Sequence, residues 1–235
     1  MEPFSVKGDI MKILITGGNT LVPIDKVRGI TNIFHGRTAV NIANEAARLG
    51  HQVTLLNNGA MQSKLDVNAI NNIKFVQYKT YDDLYSGMER EIRSVKYNVV
   101  IHSAAVSDYK VNRVLEPGML DMPRPSVPMG GKISSSYDML YLELVPTEKI
   151  IDKIRHPWGF NGKLVKFKLQ VDMGDDQLIE IAKQSRIASS ADIIVANCLE
   201  WAKERAFIIT EHDCIEVTRR ELATILIKRL AGGLK

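Results

Sequence analysis

The chain has 235 residues, of which 45% are hydrophobic and 25% charged, and this length allows one α/β domain with an appended flap. Its net charge of +4 suits small anionic substrates rather than nucleic acid. Its two cysteines, Cys198 and Cys214, exclude a disulfide framework or a cysteine-rich metal site and predict reduced thiols in a cytoplasmic protein. No apolar run reaches the length of a membrane span, and no signal peptide is visible.

The first half of the chain alternates apolar and amphipathic segments. Residues 1–10 precede Met11, which itself resembles a natural start, so we expect them to be an extension or an alternative start and 11–235 to form a single domain. Strands are predicted at 12–16, 52–56, 74–78 and 98–102, and helices at 37–49 and 81–95. This alternation predicts a Rossmann-like, doubly wound, mostly parallel sheet with helices on both faces.

The second half opens with a segment rich in proline and glycine, 113–131. A loop this long predicts either a flexible flap over the site or a plain disordered insertion. The pattern beyond it predicts strands at 140–144, 164–171 and 193–196, and helices at 178–189, 219–230 and 147–154, the last capped by Thr147. The segments 206–210 and 213–217 predict a C-terminal hairpin.

The first crossover points to a ligand. The strand at 12–16 runs into Gly17-Gly18, and a polar loop carrying Asp25, Arg28 and Asn32 leads to a helix. Ligands of doubly wound sheets bind at the carboxyl ends of the strands. Glycines let the backbone approach a phosphate, and a helix start favours negative charge. The crossover therefore predicts an anionic, phosphorylated ligand.

Two familiar nucleotide sites do not fit this chain. A nicotinamide site needs a third glycine in register and a carboxylate after the second strand, but that strand ends in Asn57-Asn58-Gly59. No Tyr-x-x-x-Lys pair occurs, and Gly131-Lys132 precedes Ile133 rather than the Ser or Thr of a Walker loop. A nicotinamide-dependent oxidoreductase is therefore the less favoured alternative.

Four segments together carry a family resemblance. They are Thr-Gly-Gly with Pro-Ile-Asp, Val-Arg and Ile-Thr-Asn within 15–36, Ser-Ala-Ala-Val-Ser-Asp-Tyr at 103–109, Gly-Lys-Ile-Ser-Ser with Pro-Thr and Lys-Ile-Ile within 131–151, and Lys-Phe-Lys-Leu-Gln with Asp-Ile-Ile-Val-Ala-Asn within 166–197. Over about 12–230 the chain resembles phosphopantothenoylcysteine synthetase in its stand-alone bacterial form.

The resemblance implies a reaction and its co-substrates. It implies a ligase of coenzyme A biosynthesis that joins phosphopantothenate to cysteine through an acyl-nucleotide, using ATP or CTP and releasing pyrophosphate. It also implies Mg²⁺ bound mainly through the nucleotide phosphates, with Asp108 as a candidate protein ligand. The expected assembly is a cytoplasmic homodimer in which one subunit helps to cover the site of the other.

The resemblance also implies roles for individual residues. Asn32 would bind the acyl-nucleotide near its carbonyl, Lys132 would close onto the triphosphate, and Arg28 would hold a phosphate or carboxylate. The implied nucleotide-binding residues are Gly17, Gly18, Ala104, Ala105, Asp108, Lys132, Thr147, Lys149 and Phe167, with Glu148 in the same turn as Thr147.

The residues alone allow a plainer interpretation of each position. Gly17-Gly18 makes a tight turn, Asn32 caps a helix, and Arg28 pairs with Asp25. Likewise Ala104 and Ala105 provide close packing, Asp108 caps a helix, Thr147 to Lys149 start a helix, Phe167 belongs to the core, and Lys132 is a solvated loop residue. The five histidines have no ligand spacing and are expected to be structural or exposed.

Several positions depart from the family pattern. The serine-rich stretch expected after Asn32 contains Phe34, an expected glycine is Ala39, an expected lysine pair falls on Ser185 and Ser189, and an expected Asn-Asp is Asn197-Cys198. Two alternatives therefore stay open: a diverged ligase for another acid and amine, and a relative that binds nucleotide without turnover. The sequence leaves the choice between ATP and CTP open as well.

Overall fold

The computed structural model describes residues 9–119 and 126–232. Its strands are β1 (Lys12–Gly17), β2 (Leu21–Pro23), β3 (Gly29–Thr31), β4 (Gln52–Asn57), β5 (Ile73–Gln77), β6 (Val99–His102), β7 (Tyr109–Leu115), β8 (Tyr141–Pro146), β9 (Lys163–Gln170), β10 (Ile193–Cys198), β11 (Arg205–Ile209) and β12 (Cys214–Thr218). Its α-helices are α1 (Arg37–Arg48), α2 (Tyr81–Ser94), α3 (Ile150–Arg155), α4 (Asp175–Ala188) and α5 (Leu222–Leu230).

The main sheet has the strand order β5-β4-β1-β6-β9-β10-β11-β12. The first six strands of this order are mutually parallel, and β11 and β12 form an antiparallel hairpin at one edge. From β1 the chain adds β4 and β5 on one side of the sheet. It then returns to β6 on the other side of β1 and adds β9 to β12 outward from there. The Rossmann-like class and the C-terminal hairpin are thus confirmed, and the switch point for ligand binding lies between β1 and β6.

The alternation of side chains along the strands divides the core between the two faces of the sheet. Ile13 and Ile15 on β1 pack with α1 and α5, whereas Leu14 between them packs with α2 and α3. Helix α4 covers β10 and β11 on the second of these faces through a separate cluster around Leu178. Among the described residues, no helix combines the length and apolar character needed to cross a membrane.

Two small antiparallel ribbons were not predicted. Strands β2 and β3 pair within the first crossover, and β7 pairs with β8 beside the main sheet. Strand β7 includes residues 113–115, so the predicted flap begins later than the sequence suggested. Residues 120–125 of that flap, and residues 1–8 of the predicted extension, lie outside the described residues, so both of these remain predictions.

Helix α3 begins three residues later than predicted. Thr147 does not cap it, because the Thr147 hydroxyl donates to the Ser107 carbonyl at 2.7 Å and its amide donates to the Asp108 carbonyl at 2.9 Å. The residue before the helix is Lys149, whose side chain makes no capping hydrogen bond. The bonds of Thr147 instead hold the turn before α3 against the loop that follows β6.

The crossing of β1 and α1 has no room for a larger residue. A Cβ atom added at Gly17 would lie 2.1 Å from the Cβ atom of Ala39, which is fully buried on α1. We expect Gly17→Ala to lower the free energy of unfolding by about 1–3 kcal/mol, since the overpacked helix must shift. Urea denaturation measures this loss. Gly118→Ala is the control because a Cβ there meets no atom of the described residues within 4 Å, and equal midpoints for the two variants would contradict the packing argument.

Candidate active site

The loops that follow β1 and β6 are joined across the switch point. The Ala105 amide donates to the Gly18 carbonyl at 2.8 Å, and the Thr20 amide donates to the Ala105 carbonyl at 3.3 Å. Gly18 has φ +89°, a left-handed conformation that glycine adopts without strain. The predicted residues Gly17, Gly18, Ala104 and Ala105 therefore lie close together at the carboxyl ends of β1 and β6. The two glycines form the tight turn that was their plainer interpretation.

Asn32 lies at the same junction. Its side-chain amide donates to the Ala105 carbonyl at 3.0 Å. The interpretation of Asn32 as a helix cap is wrong, because α1 is preceded by Gly36 and has no side-chain cap. The Asn32 carbonyl accepts a hydrogen bond from the buried Asn19 side chain, which accepts one from Asn58. Sequence reasoning missed Asn19 and Asn58, although their polarity at the ends of two apolar strands was a usable signal.

The carboxylate of Asp25 organises the turn between β2 and β3. Its side chain is fully buried and accepts hydrogen bonds from the amides of Val27 and Arg28, both at 2.8 Å. The Arg28 guanidinium donates to it from Nε at 3.0 Å and from Nη2 at 2.6 Å. The plain interpretation of Arg28 as an ion-pair partner of Asp25 is therefore correct, and the Arg28 side chain still remains 46% exposed.

The same two residues hold a distant segment of the chain. Asp25 accepts from the Ile133 amide at 3.0 Å, Arg28 donates to the Ile133 carbonyl at 2.7 Å, and the Lys26 amide donates to the Gly131 carbonyl at 3.1 Å. We call this set of contacts the clasp. Since the clasp fixes both neighbours of Lys132, that exposed side chain projects from an anchored backbone beside the first crossover.

The clasp also explains the ionisation of Asp25. The Arg28 guanidinium, together with the Ile133 amide, holds the pKa of the Asp25 carboxyl well below its usual value of 3.8. A cavity of about 450 Å³ opens beside the clasp, between the turn 23–29 and residues Lys79, Thr80 and Met129. The turn that the clasp holds therefore lines this open cavity.

A second cavity, of about 200 Å³, lies at the carboxyl ends of β6 and β9, and we call it the strand-end cleft. It gathers five of the predicted nucleotide-binding residues: Ala104, Asp108, Thr147, Lys149 and Phe167. Its lining does not include Gly17, Gly18, Asn32 or Lys132, which lie around the first crossover. Phe167 fits both of its interpretations, since it lines the cleft and also packs against the core below α1 and α5.

The strand-end cleft has a basic wall that sequence reasoning did not assign. Lys149, Lys166 and Lys168 line it together with Ser185. Burial lowers the pKa of Lys166; the charge of Asp152 raises it, whereas the charges of Lys168 and Lys149 lower it. The available signal was the alternation of apolar and basic residues along β9, which places Lys166 and Lys168 on one face.

His102 is buried and lines the cleft beside this wall. Burial and the charge of Lys166 lower its pKa to about 4, so the imidazole is neutral at neutral pH. Its Nδ1 atom lies 2.9 Å from the Thr16 hydroxyl. Among the described residues, no three His, Cys, Asp or Glu side chains group together as a metal site, and the exposed carboxylates of the cleft are Asp108 and Glu148.

The sequence of residues 9–230 matches the protein family described as the DNA/pantothenate metabolism flavoprotein C-terminal domain. The chain belongs to this family. The coenzyme A biosynthesis bifunctional protein CoaBC of Thermococcus kodakarensis is 31% identical over 231 residues, 95% of this chain and 51% of that protein. CoaBC of Borreliella burgdorferi is 27% identical over 91% of this chain and 50% of that protein. The chain spans about half the length of these curated relatives.

Solved structures of the family share the fold. The DNA/pantothenate metabolism flavoprotein of Streptococcus pneumoniae is 31% identical with a TM-score of 0.83, covering 94% of this chain and 99% of that one. A Cab2 mutant in complex with phosphopantothenate-cysteine is 14% identical with a TM-score of 0.66, covering 94% and 85%, which is a likeness of fold. The extent of the family match agrees with the span over which the motifs were recognised.

The clasp makes the stability of the protein depend on the charge of Asp25. We expect Asp25→Asn to lower the urea midpoint at pH 7 and to speed hydrogen exchange at the amide of Ile133, because the variant removes the anion to which Arg28 and Ile133 donate. The carboxyl has a depressed pKa when folded, so its contribution is complete above the ordinary value of 3.8 and disappears as the pH falls below it.

Denaturation at several pH values measures this dependence. The gap in midpoint between native protein and Asp25→Asn should narrow on acidification below pH 3.8. The exposed Asp138, changed to Asn, serves as the matched control and should have the native midpoint. A gap that stays constant down to low pH would show that the charge of Asp25 does not hold the clasp.

Proposed function

We propose that the protein is a nucleoside-triphosphate-dependent ligase that joins phosphopantothenate to cysteine through an acyl-nucleotide, a step of coenzyme A biosynthesis. Family membership and the resemblance to CoaBC proteins support this activity. The observation that carries it is the convergence of separated segments at one sheet edge, where Asn32 bonds to Ala105 beside a basic cleft. Such a site suits an acid that must meet a polyphosphate.

The chemistry has two steps. A carboxylate oxygen of phosphopantothenate attacks the α-phosphorus, and the bond to the bridging oxygen breaks so that pyrophosphate leaves. The cysteine amine then attacks the acyl carbon, loses a proton, and expels the nucleoside monophosphate. No protein nucleophile is required. The protein must supply cations for the phosphates, hydrogen-bond donors at the acyl centre, and exclusion of water.

We assign these requirements to particular residues. Lys132, presented by the clasp, and Lys149 bind the phosphates, and Asn32 donates to the acyl oxygen. The backbone of Gly17-Gly18 and the small residues Ala104 and Ala105 let the nucleotide lie close to the strand ends, where Phe167 and Thr147 also contact it. Arg28 remains a candidate for a phosphate or carboxylate through the exposed part of its side chain.

Magnesium fits this site in one way. Two exposed carboxylates line the cleft, Asp108 and Glu148, and Glu148 is paired with Lys153, so a divalent ion would be held mainly by the nucleotide phosphates with Asp108 as one further ligand. Such an ion neutralises charge on the phosphates. This arrangement agrees with a metal that arrives with its nucleotide rather than one that resides in the protein.

The ribbon of β7 and β8 supports a homodimer. Its strands expose four large apolar side chains, Tyr109, Tyr141, Leu142 and Leu144, and Met139 shortly before β8 is also exposed. Exposed apolar side chains that gather on a protein surface mark interaction sites. A second copy of the chain is the occupant we propose, in a cytoplasmic homodimer.

The activity is tested by following pyrophosphate release from the purified protein. Release should require phosphopantothenate together with one nucleotide, ATP or CTP, in the presence of Mg²⁺, and should be followed by product formation when cysteine is added. The two nucleotides are tested in turn to settle the preference. Binding of a nucleotide without release would favour a non-catalytic relative, and activity with another acid would favour a diverged ligase.

Lys132 provides the sharpest test of the residue roles. Lys132→Ala should slow formation of the acyl-nucleotide by about 100-fold or more, as expected when one preorganised charge is removed from a transition state. The fold should stay intact, because the clasp uses only the backbone on either side of Lys132. Pyrophosphate release in a single turnover measures the step. Lys64→Ala, an exposed lysine outside both cavities, is the control, and a native rate for Lys132→Ala would remove this residue from the mechanism.

A further inference from the structure

Lys166 is an unusual lysine for a parallel strand in the middle of a sheet. It lies on β9 between β6 and β10, and its side chain is half-buried in the strand-end cleft. Its Nζ atom donates to both the hydroxyl and the carbonyl of Ser185 on α4, each at 3.0 Å. The ammonium is therefore held in one place, with a neutral partner.

The protein balances the positive charges around Lys166 only in part, through the carboxylate of Asp152 on α3, which acts on Lys166 without forming an ion pair. Lys149 and Lys168 line the same cleft, and none of the three lysines forms an ion pair with a carboxylate in the described part of the chain. Of the acidic residues in the lining, Glu148 is paired with Lys153 at 3.0 Å and Asp108 faces solvent. A partly desolvated cation costs free energy unless an anion meets it.

A purely structural role does not account for this placement. An ammonium near the last turn of α4 would interact favourably with the helix dipole. The Ser185 carbonyl, however, already accepts a hydrogen bond from the Ser189 hydroxyl at 3.0 Å, so it does not need Lys166 as a donor. The helix dipole also leaves the neighbouring Lys149 and Lys168 unexplained.

We propose that Lys166, oriented by Ser185, is a binding residue for a phosphate group in the strand-end cleft. The proposal rests on the ligase function given above and adds to it a residue that the family motifs did not single out as functional. Two ligands carry the required chemistry: the triphosphate chain of the nucleotide and the phosphate of phosphopantothenate. Lys166 is a binding residue in either case, so its loss weakens affinity more than it slows chemistry.

The test compares Lys166→Met with Lys183→Met. Both variants remove one positive charge, but Lys183 is exposed on α4 and lies outside the cleft. Calorimetric titration with ATP, CTP and phosphopantothenate, each alone, shows which ligand Lys166 meets. We expect the Kd of one of these classes to rise about 10-fold or more in Lys166→Met, with the KM rising more than kcat falls, and no change in Lys183→Met.

A second pair of variants separates binding from structural support. Lys166→Arg keeps the charge and should retain most of the affinity. Because Lys166 and Ser185 touch, the exchange Lys166→Ser with Ser185→Lys returns an ammonium to the cleft from the helix side, and it should recover part of the lost affinity. A lower melting temperature for Lys166→Met with native Kd values for all three ligands would show a structural role and overturn the proposal.

The outcomes for Lys166 and for the ligase are distinguishable. Native protein that releases pyrophosphate, with a Lys166→Met variant of unchanged KM and Kd values, keeps the ligase and rejects the role of Lys166. Native protein that binds a nucleotide but makes no product, with weaker binding by Lys166→Met, keeps the role and rejects the ligase. Native protein that binds none of the three ligands rejects both.

Discussion

The buried carboxylate of Asp25 is the interaction on which the geometry of the first crossover depends. A fully buried anion is costly unless every lone pair is occupied, and here three backbone amides and one guanidinium occupy it. One of those amides belongs to Ile133, which lies 108 residues further along the chain. Because the buried carboxylate needs this donor, it ties the turn between β2 and β3 to the segment around Ile133. Lys132, the residue before Ile133, is thereby positioned by contacts that do not involve its own side chain.

The sequence predicted the sheet well because its strands are continuous apolar runs and its helices are long enough to show their period. It predicted less well where short elements depend on tertiary contacts. Strand β7 alternates polar and partly buried residues and is stable only beside β8, so the segment 113–115 looked like the start of a loop. The start of α3 depends on Thr147 bonding to Ser107, a partner 40 residues away that local pattern cannot reveal.

In the candidate site, too, local patterns were predictable and tertiary contacts were not. The motifs predicted Asn32, Ala104, Ala105 and Lys132 as site residues, and their membership of the site stays a prediction. Their partners were not predictable, because the Asn32 side chain reaches Ala105, 73 residues away, and is thereby diverted from capping a helix. Lys166 was hidden for a different reason: on a strand that alternates apolar and basic residues, a lysine turned into a cleft has the same pattern as a solvated one.

Hydrogen bonds through Thr20, Ser107 and Thr147 connect the first crossover to the strand-end cleft. The Thr20 hydroxyl accepts from the Ser107 amide at 2.9 Å, and the Ser107 carbonyl accepts from the Thr147 hydroxyl at 2.7 Å. Thr20 follows the glycine turn beside the clasp, whereas Ser107 and Thr147 line the strand-end cleft. These bonds fix the separation between the anchored Lys132 segment and the basic wall around Lys166. The ligase reaction proposed above has no protein nucleophile, so its rate would depend on such fixed separations, which hold a carboxylate and a polyphosphate in line.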